Sequence, residues 1–329
     1  MNDETISAIR TLLEPAQRVL VATHTSPDGD ALGSLTAVGQ ALQQLGKTFT
    51  MACDDGPDRR LGYLPLLDQL TSDPHILGRP YNLLIAVDCG DETRMGDIYL
   101  RMPHPHPPII NIDHHVTNNL FGTVNLVDGR ATSTAEILTN LLPQLGVTLT
   151  RDIATSLLTG LVTDTLGFRV AGVTGETLRV ASRLVDLGAD LPEITTQALV
   201  LKSARTLQLW RLGLNNMQLE EGVMWTVMKM SDQNRIGEDL NSSMGLGNLL
   251  ADVDEAAMSI VFTEKHEGRI NVSFRSRPPV DVSGLASEYG GGGHRQAAGC
   301  SVQGRRLHEL VPEIVAKAKR SLSASQHFS

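Results

Sequence analysis

Apolar residues along this chain follow two alternating patterns: short runs with no helical period, and longer stretches where they recur every three or four positions. The first pattern predicts buried strands and the second amphipathic helices. Ile6, Ile9, Leu12 and Leu13 place a helix within residues 1–17, leading into a β-branched, apolar strand over 18–24. From Asp30, the residues Leu32, Leu35, Val38, Leu42 and Leu45 keep helical spacing until Gly46 ends it. Residues 47–53 predict a second strand and 61–70 a helix. The unbroken apolar run NLLIAVD at 82–88 suits a parallel strand covered on both faces. A fourth strand is predicted over 109–113 and a fifth, at the sheet edge, over 122–128. Helices follow at 131–142, with Ser133 and Glu136 spaced as a capping box, and at 151–162 and 176–187. Strands alternating with helices predict a parallel α/β sheet, whose ligands collect at the carboxyl ends of the strands.

Near residue 190 the texture changes. Residues 192–214 read as one or two helices, followed by a strand at 223–230 and a hairpin of 259–265 with 269–277 around His266-Glu267-Gly268. A short helix at 282–289, the stretch GGGGHRQAAG at 290–299 and an amphipathic helix at 306–322 complete the chain. Hairpin-linked strands predict a smaller α+β domain with antiparallel pairing. The expected organisation is a parallel-sheet α/β domain at 1–190, a helical linker at 191–216 and a C-terminal α+β domain at 217–329.

Composition narrows the function. At 329 residues the chain is long enough for two cores, and 41% hydrophobic with 20% charged residues is ordinary for a soluble protein. A net charge of −9 excludes long nucleic acid and anionic membrane surfaces as natural partners. An anionic substrate would need a local positive site, which bound metal supplies. Cys53, Cys89 and Cys300 are too few and scattered for a disulfide framework or a thiolate metal site, and fit a reducing compartment. Asp3 and Glu4 open a segment without a signal-peptide core, and no apolar run reaches membrane-spanning length, so a cytoplasmic location is expected.

The candidate chemistry lies where strands end. His24, Asp28 and Asp30 follow the first strand, Asp88 ends the third and His114 follows the fourth. Asp164 ends a nearly all-apolar helix, where a carboxylate needs a buried partner. Imidazole and carboxylate donors without cysteine suit manganese or magnesium. For the first loop alone, the competing reading is a polar turn in which Asp30 caps the helix. Together these groups suffice for two ions about 3.5–4 Å apart if one carboxylate bridges them, and Asp88 at a central strand end is the natural bridge. The amides of Thr132-Ser133-Thr134 would face whatever sits over the strand ends, with Ser133 either a helix cap or a phosphate contact. His104 and His106 sit in a stiff, proline-rich, exposed loop. The glycine run at 290–293 is either a linker or a place of close backbone approach.

These segments resemble the DHH phosphoesterase family: HTSPDGDALGS at 24–34, VDCGD at 87–91, NIDHH at 111–115 and TDTLGF at 163–168. GGGGHRQAAG resembles the glycine-rich motif of the DHH-associated C-terminal domain, and Phe168-Arg169 departs from the commoner family wording. The resemblance implies that His24 and Asp28 bind one ion, that Asp30, His114 and Asp164 bind the other, and that Asp88 bridges. It implies that Asp113 orients His114 and that His115 lies near the phosphate, making Asp88, Asp113 and His115 the catalytic candidates. Gly291, Gly292 and Gly293 would admit the substrate, His294 would contact its phosphate, and Arg275 would hold a terminal phosphate, with Arg277 and Arg295 as weaker candidates. The site would occupy the cleft between the domains.

Length and arrangement resemble the two-domain members that degrade nanoRNA and dephosphorylate 3′-phosphoadenosine 5′-phosphate (pAp). The expected activity is manganese-dependent hydrolysis of short oligoribonucleotides such as pApA to mononucleotides, and of pAp to AMP, with magnesium or cobalt as substitutes. A homodimer is compatible with the resemblance. The alternatives are a cyclic-dinucleotide phosphodiesterase, or a nucleotide-binding regulator that has lost catalysis. A processive nuclease fits less well, because 4% aromatic residues and an acidic balance give neither stacking platforms nor a basic groove. A family pyrophosphatase would carry a different C-terminal domain without the glycine run.

Overall fold

The computed structural model describes residues 3–234 and 245–326, which divide into two compact units, Met1–Leu201 and Lys202–Ser329. The division falls within the stretch read as a linker. There a short helix, Leu191–Thr195, runs into a π-turn, Thr196–Val200, before the helix Ala204–Asn215 begins with Ser203 as its cap.

In the first unit six parallel strands, β1 (Arg18–Ala22), β2 (Thr48–Ala52), β3 (Leu70–Thr71), β4 (Leu83–Val87), β5 (Ile109–Asp113) and β6 (Val124–Val127), lie in the order β3-β2-β1-β4-β5-β6. Alternate residues of β1 feed two cores. Val19 and Val21 meet the helices Asp3–Leu13, Gly29–Gln44, Thr134–Gln144 and Arg151–Asp164, while Leu20 and Ala22 meet Ile76, Met95 and Ile98 on the other face. Both faces are therefore covered, which is why these strands read as continuous apolar runs. Residues 61–70 do not form the expected helix. They hold the 3-10 turns Arg59–Leu61 and Leu67–Gln69, because Pro65 has no N–H to donate and Leu66 adopts φ +63°.

In the second unit six strands, β7 (Gln218–Glu220), β8 (Val223–Met228), β9 (Met258–Glu264), β10 (Arg269–Ser276), β11 (Gly292–His294) and β12 (Ala297–Gln303), lie in the order β11-β12-β10-β9-β8-β7. The expected β9–β10 hairpin forms, but the pairing is not wholly antiparallel: β8 and β9 run parallel. Their connection is a crossover containing the helices Met230–Asn234 and Leu246–Ala251, and such a connection permits parallel pairing. Phe262, Val272 and Phe274 pack against Leu310 and Ile314 of the C-terminal helix Leu307–Gln326, while Met224 and Val261 on the opposite face meet Leu209 and Leu250. Among the described residues no helix is long and apolar enough to cross a membrane.

One helix pair governs the placement of the acidic loop. The helices Gly29–Gln44 and Arg151–Asp164 touch backbone to backbone: a Cβ on Gly33 would run into the Ser156 carbonyl and one on Gly29 into the Thr163 side chain. A Cβ on Gly160 would lie 2.5 Å from Asp30 Oδ1 and 2.7 Å from the Ala135 Cβ. Along the same seam Gln40 Nε2 donates to the buried Ser156 Oγ at 3.0 Å. In an ordinary helix, glycine to alanine stabilises by up to about 1 kcal/mol. Here overpacking reverses the sign, so Gly33→Ala is expected to lose about 1–3 kcal/mol. The check is a lowered urea midpoint at unchanged slope, and an equal or higher midpoint refutes the close packing.

Candidate metal centre

The sheet changes winding direction between β1 and β4, the position where ligands gather in parallel sheets. His24 follows β1, Asp88 follows β4, and His114 and His115 follow β5. Thr23 Oγ1 donates to the Val87 carbonyl at 2.9 Å, tying the first two strand ends together. The loop after β1 is pinned by Thr25 N donating to Arg94 O (2.8 Å) and Ser26 N donating to Asp55 Oδ2 (2.6 Å).

The helix cap is Asp28 rather than Asp30: Asp28 Oδ1 accepts from the amides of Asp30 and Ala31, both at 3.0 Å. Asp30, on the first turn, is 1% exposed. Its carboxylate accepts from the first amides of the next helix, Thr134 N at 2.6 Å and Ala135 N at 3.0 Å. The Thr132–Thr134 segment therefore does aim amides at the strand ends, but onto a carboxylate of the protein. Ser133 is fully buried, and its Oγ accepts from Glu136 N, so it is a cap and not a substrate contact. The reciprocal half of the expected capping box is displaced by one residue, since Glu136 Oε2 accepts from Thr132 N and Thr132 Oγ1.

Donor atoms from these segments converge. His114 Nε2 lies 3.5 Å from Asp88 Oδ1, 3.4 Å from Asp164 Oδ2 and 4.0 Å from Asp30 Oδ2. His24 Nε2 lies 3.6 Å from Asp88 Oδ2. Two groups, His24 with Asp28 and Asp88, and Asp30 with Asp88 and His114, each hold their donor atoms within 4.8 Å of one another, and both contain Asp88. Asp88 has φ +59°, a left-handed conformation that costs a non-glycine residue energy and tends to accompany functional sites. Thr134 Oγ1 donates to its Oδ1 at 3.0 Å. His24 Nδ1 must carry a proton, because it faces the Thr25 carbonyl at 2.8 Å, and this turns Nε2 toward Asp88.

Electrostatics test whether cations fit. Burial, reinforced by Asp88, Asp164 and Asp28, pushes Asp30 well above the ordinary carboxylate range. Burial, with Asp28 and Asp88, does the same to Asp164. Burial works against Asp88 as well, but His24, His114 and His115 around it hold it below the ordinary range. Burial lowers His114; in His24 the adjacent Asp88 and Asp28 carboxylates outweigh it and raise the imidazole. The protein's own cations thus do not offset four clustered carboxylates. Divalent ions would, and a set of oxygen and imidazole donors without thiolate suits hard to borderline metals.

Asp113 does not orient His114, contrary to expectation. Its Oδ1 accepts from His115 Nδ1 at 2.7 Å, whereas His114 Nδ1 faces the Ala131 carbonyl at 3.4 Å. Residues two apart on an extended segment share a side, so Asp113 reaches His115. Burial opposes charge on His115, but the Asp113 bond raises its pKa to about 9. His104 and His106 stack on one another, ring centroids 4.0 Å apart, and join none of the donor groups. Sequence reasoning missed Thr134 as a contact to Asp88, and missed the amides of Asn111 and Asn118 beneath Asp113. An aspartate-binding hydroxyl and buried amides leave no periodic trace.

In the second unit, Arg275 on β10 and His294 on β11 both lie opposite Ala297 of β12. Directly opposed residues share a face, so the three form a row across the sheet. Arg275 Nε donates to Asn248 Oδ1 at 2.7 Å. Arg277 donates to the carbonyls of Asp254 and Ala256, and Arg295 pairs with Asp281, so both are tied up structurally. Gly291 and Gly293 are required by packing: a Cβ on the first would meet Gly299 and Cys300, and one on the second would lie 2.5 Å from the Ala297 carbonyl. Gly292 faces open space. Of the glycines expected to admit substrate, two are thus explained by strand contact.

Residues 18–161 match the DHH family, N-terminal domain, and residues 230–324 match the DHHA1 domain. The bifunctional oligoribonuclease and PAP phosphatase NrnA of Thermus thermophilus is 33% identical over 310 residues, covering 94% of this chain and 92% of that protein. Its Bacillus subtilis namesake is 26% identical over 288 residues, covering 86% and 89%. Among solved structures, an exopolyphosphatase-related protein from Bacteroides fragilis superposes with a TM-score of 0.85 at 22% identity, covering 98% of each chain. RecJ of Thermus thermophilus in complex with Mn2+ gives 0.58 at 18% identity, covering 98% of this chain and 54% of that one. These two establish likeness of fold. With both domains matched in order and a relative one-third identical from end to end, the chain belongs to the DHH family.

Proposed function

We propose that this protein is a metal-dependent phosphoesterase that hydrolyses short oligoribonucleotides to nucleoside monophosphates and pAp to AMP. The observation that carries the reading is the buried Asp88 carboxylate, common to two groups of donors at the sheet's switch point. The names of relatives matched over most of the chain supply the substrate class.

In this reading His24, Asp28 and Asp88 hold one divalent cation, and Asp30, Asp88, His114 and Asp164 hold another, with manganese preferred to magnesium or cobalt. Bound there, such ions lower the pKa of a water molecule and offset charge building on a phosphoryl group. The chain's own side chains supply the rest. Asp113 fixes the His115 ring, which faces the phosphate. Arg275 and His294 anchor a phosphate end through charge-assisted hydrogen bonds. The net charge of −9 disfavours long strands, so selection falls on small substrates. Three free, buried cysteines suit a reducing cytoplasm.

A panel of pAp, pApA, cyclic di-AMP, short RNA and pyrophosphate, each with manganese, tests the assignment. Phosphate from pAp and mononucleotides from pApA are expected, with activity abolished by EDTA and restored by manganese. Asp88→Ala should lose at least about 100-fold in turnover while its circular dichroism stays unchanged. Retained turnover in that variant refutes the shared carboxylate.

A second expectation concerns stability without substrate. At a hundred times its Kd, manganese should stabilise the wild type by about 2.7 kcal/mol. Asp164→Asn removes a carboxylate that its neighbours repel. The metal-free variant should therefore melt no lower than the wild type, yet lose most of the manganese-induced rise in Tm. A full rise in the variant places Asp164 outside the metal set.

A further inference from the structure

Asn118 lies beyond the strand-end motif and carries no role in the chemistry above, yet its side-chain amide is fully engaged. Nδ2 donates to Asp113 Oδ2 at 2.6 Å and to the Cys89 carbonyl at 2.9 Å. Oδ1 accepts from Leu120 N at 2.8 Å and from Asn111 Nδ2 at 3.0 Å. This pattern fixes the amide's orientation: a carboxylate and a carbonyl only accept, while a backbone amide only donates, so neither edge can be exchanged. Asn111 Nδ2 also donates to Asn125 Oδ1 at 3.1 Å, which anchors the relay to β6.

Two consequences meet at this residue. Asp113 is completely buried, and the oxygen not held by Asn118 accepts from His115 Nδ1 at 2.7 Å. The Cys89 carbonyl lies one residue beyond Asp88, whose φ is +59°, in the loop that leaves β4. One amide thus steadies the carboxylate behind His115 and ties it to the loop after β4. We infer that Asn118 is a positioning residue that sets the His115 ring for contact with the substrate phosphate through Asp113. The inference rests on the phosphoesterase reading for its catalytic consequence, but not for the hydrogen-bond relay itself.

The test separates the two. In the full-length protein, the His115 Nδ1–H proton is followed by NMR and assigned by its disappearance in His115→Gln. Asn118→Ala, and the isosteric Asn118→Asp that places an oxygen against Asp113, should shift or abolish this signal. Manganese affinity measured by calorimetry should stay within about threefold, while kcat on pApA falls about 10–100-fold with KM little changed. In the His115→Gln background, Asn118→Ala should cost nothing further, because the two residues act in series. An unmoved proton signal in either folded variant, or losses that multiply in the double variant, overturns the inference. If the wild type turns over neither pAp nor pApA, the phosphoesterase reading fails, and the proton signal still decides the role of Asn118.

Discussion

Mutual repulsion among carboxylates is the constraint on which the rest of this structure turns. Two unit charges 4 Å apart interact by about 4 kcal/mol at an effective dielectric of 20, and a domain's whole stability is about 5–15 kcal/mol. Asp28, Asp30, Asp88 and Asp164 nevertheless come together around His24 and His114. No local preference of the chain would produce this. It is imposed by strands whose apolar residues lie in two cores, by a helix pair so close that Gly33 has no room for a Cβ, and by a left-handed Asp88. The hydrophobic scaffold holds in place a charge cluster that would otherwise fly apart.

The helix Thr134–Gln144 shows how the protein limits the cost. A helix N-terminus carries roughly half a positive charge and unsatisfied amides. Here those amides are spent on Asp30, with Thr134 Oγ1 reaching Asp88 as well. Asp30 still titrates well above the ordinary range, so burial and three neighbouring carboxylates outweigh two amides. The amides orient the carboxylate more than they neutralise it. Divalent cations would neutralise the cluster, and its oxygen and imidazole donors suit hard to borderline metals.

Much of this was legible in the sequence because hydrophobic runs stop abruptly at the strand ends. The parallel sheet, its edge strand at Val124–Val127 and the clustering of His24, Asp30, Asp88, His114 and Asp164 follow from that rule together with the tendency of ligands to collect at carboxyl ends. What escaped depends on geometry beyond periodicity. Whether Asp113 serves His114 or His115 turns on side-chain alternation continuing past the end of β5. The cap at Asp28 rather than Asp30 turns on where the helix starts, the least certain feature of any hydrophobic pattern. The parallel pairing of β8 with β9 turns on the long connection between them, whose apolar residues mark helices less clearly than the hairpin that follows.

The glycine run illustrates how one motif combines two physical demands. Gly291 and Gly293 face β12, where a side chain would strike Gly299, Cys300 or the Ala297 carbonyl, so the strand β11 can pair only if these positions are bare. That pairing is what carries His294 to its place opposite Ala297, in line with Arg275 two strands away. Adjacent strands are about 4.8 Å apart, so the two cationic candidates sit about 10 Å apart at the backbone, with only a methyl group between them. The Arg275 side chain is itself held in place, Nε donating to Asn248 Oδ1 at 2.7 Å and Nη1 to the Phe274 carbonyl at 2.8 Å. The glycines thus act indirectly, by allowing the strand that positions His294.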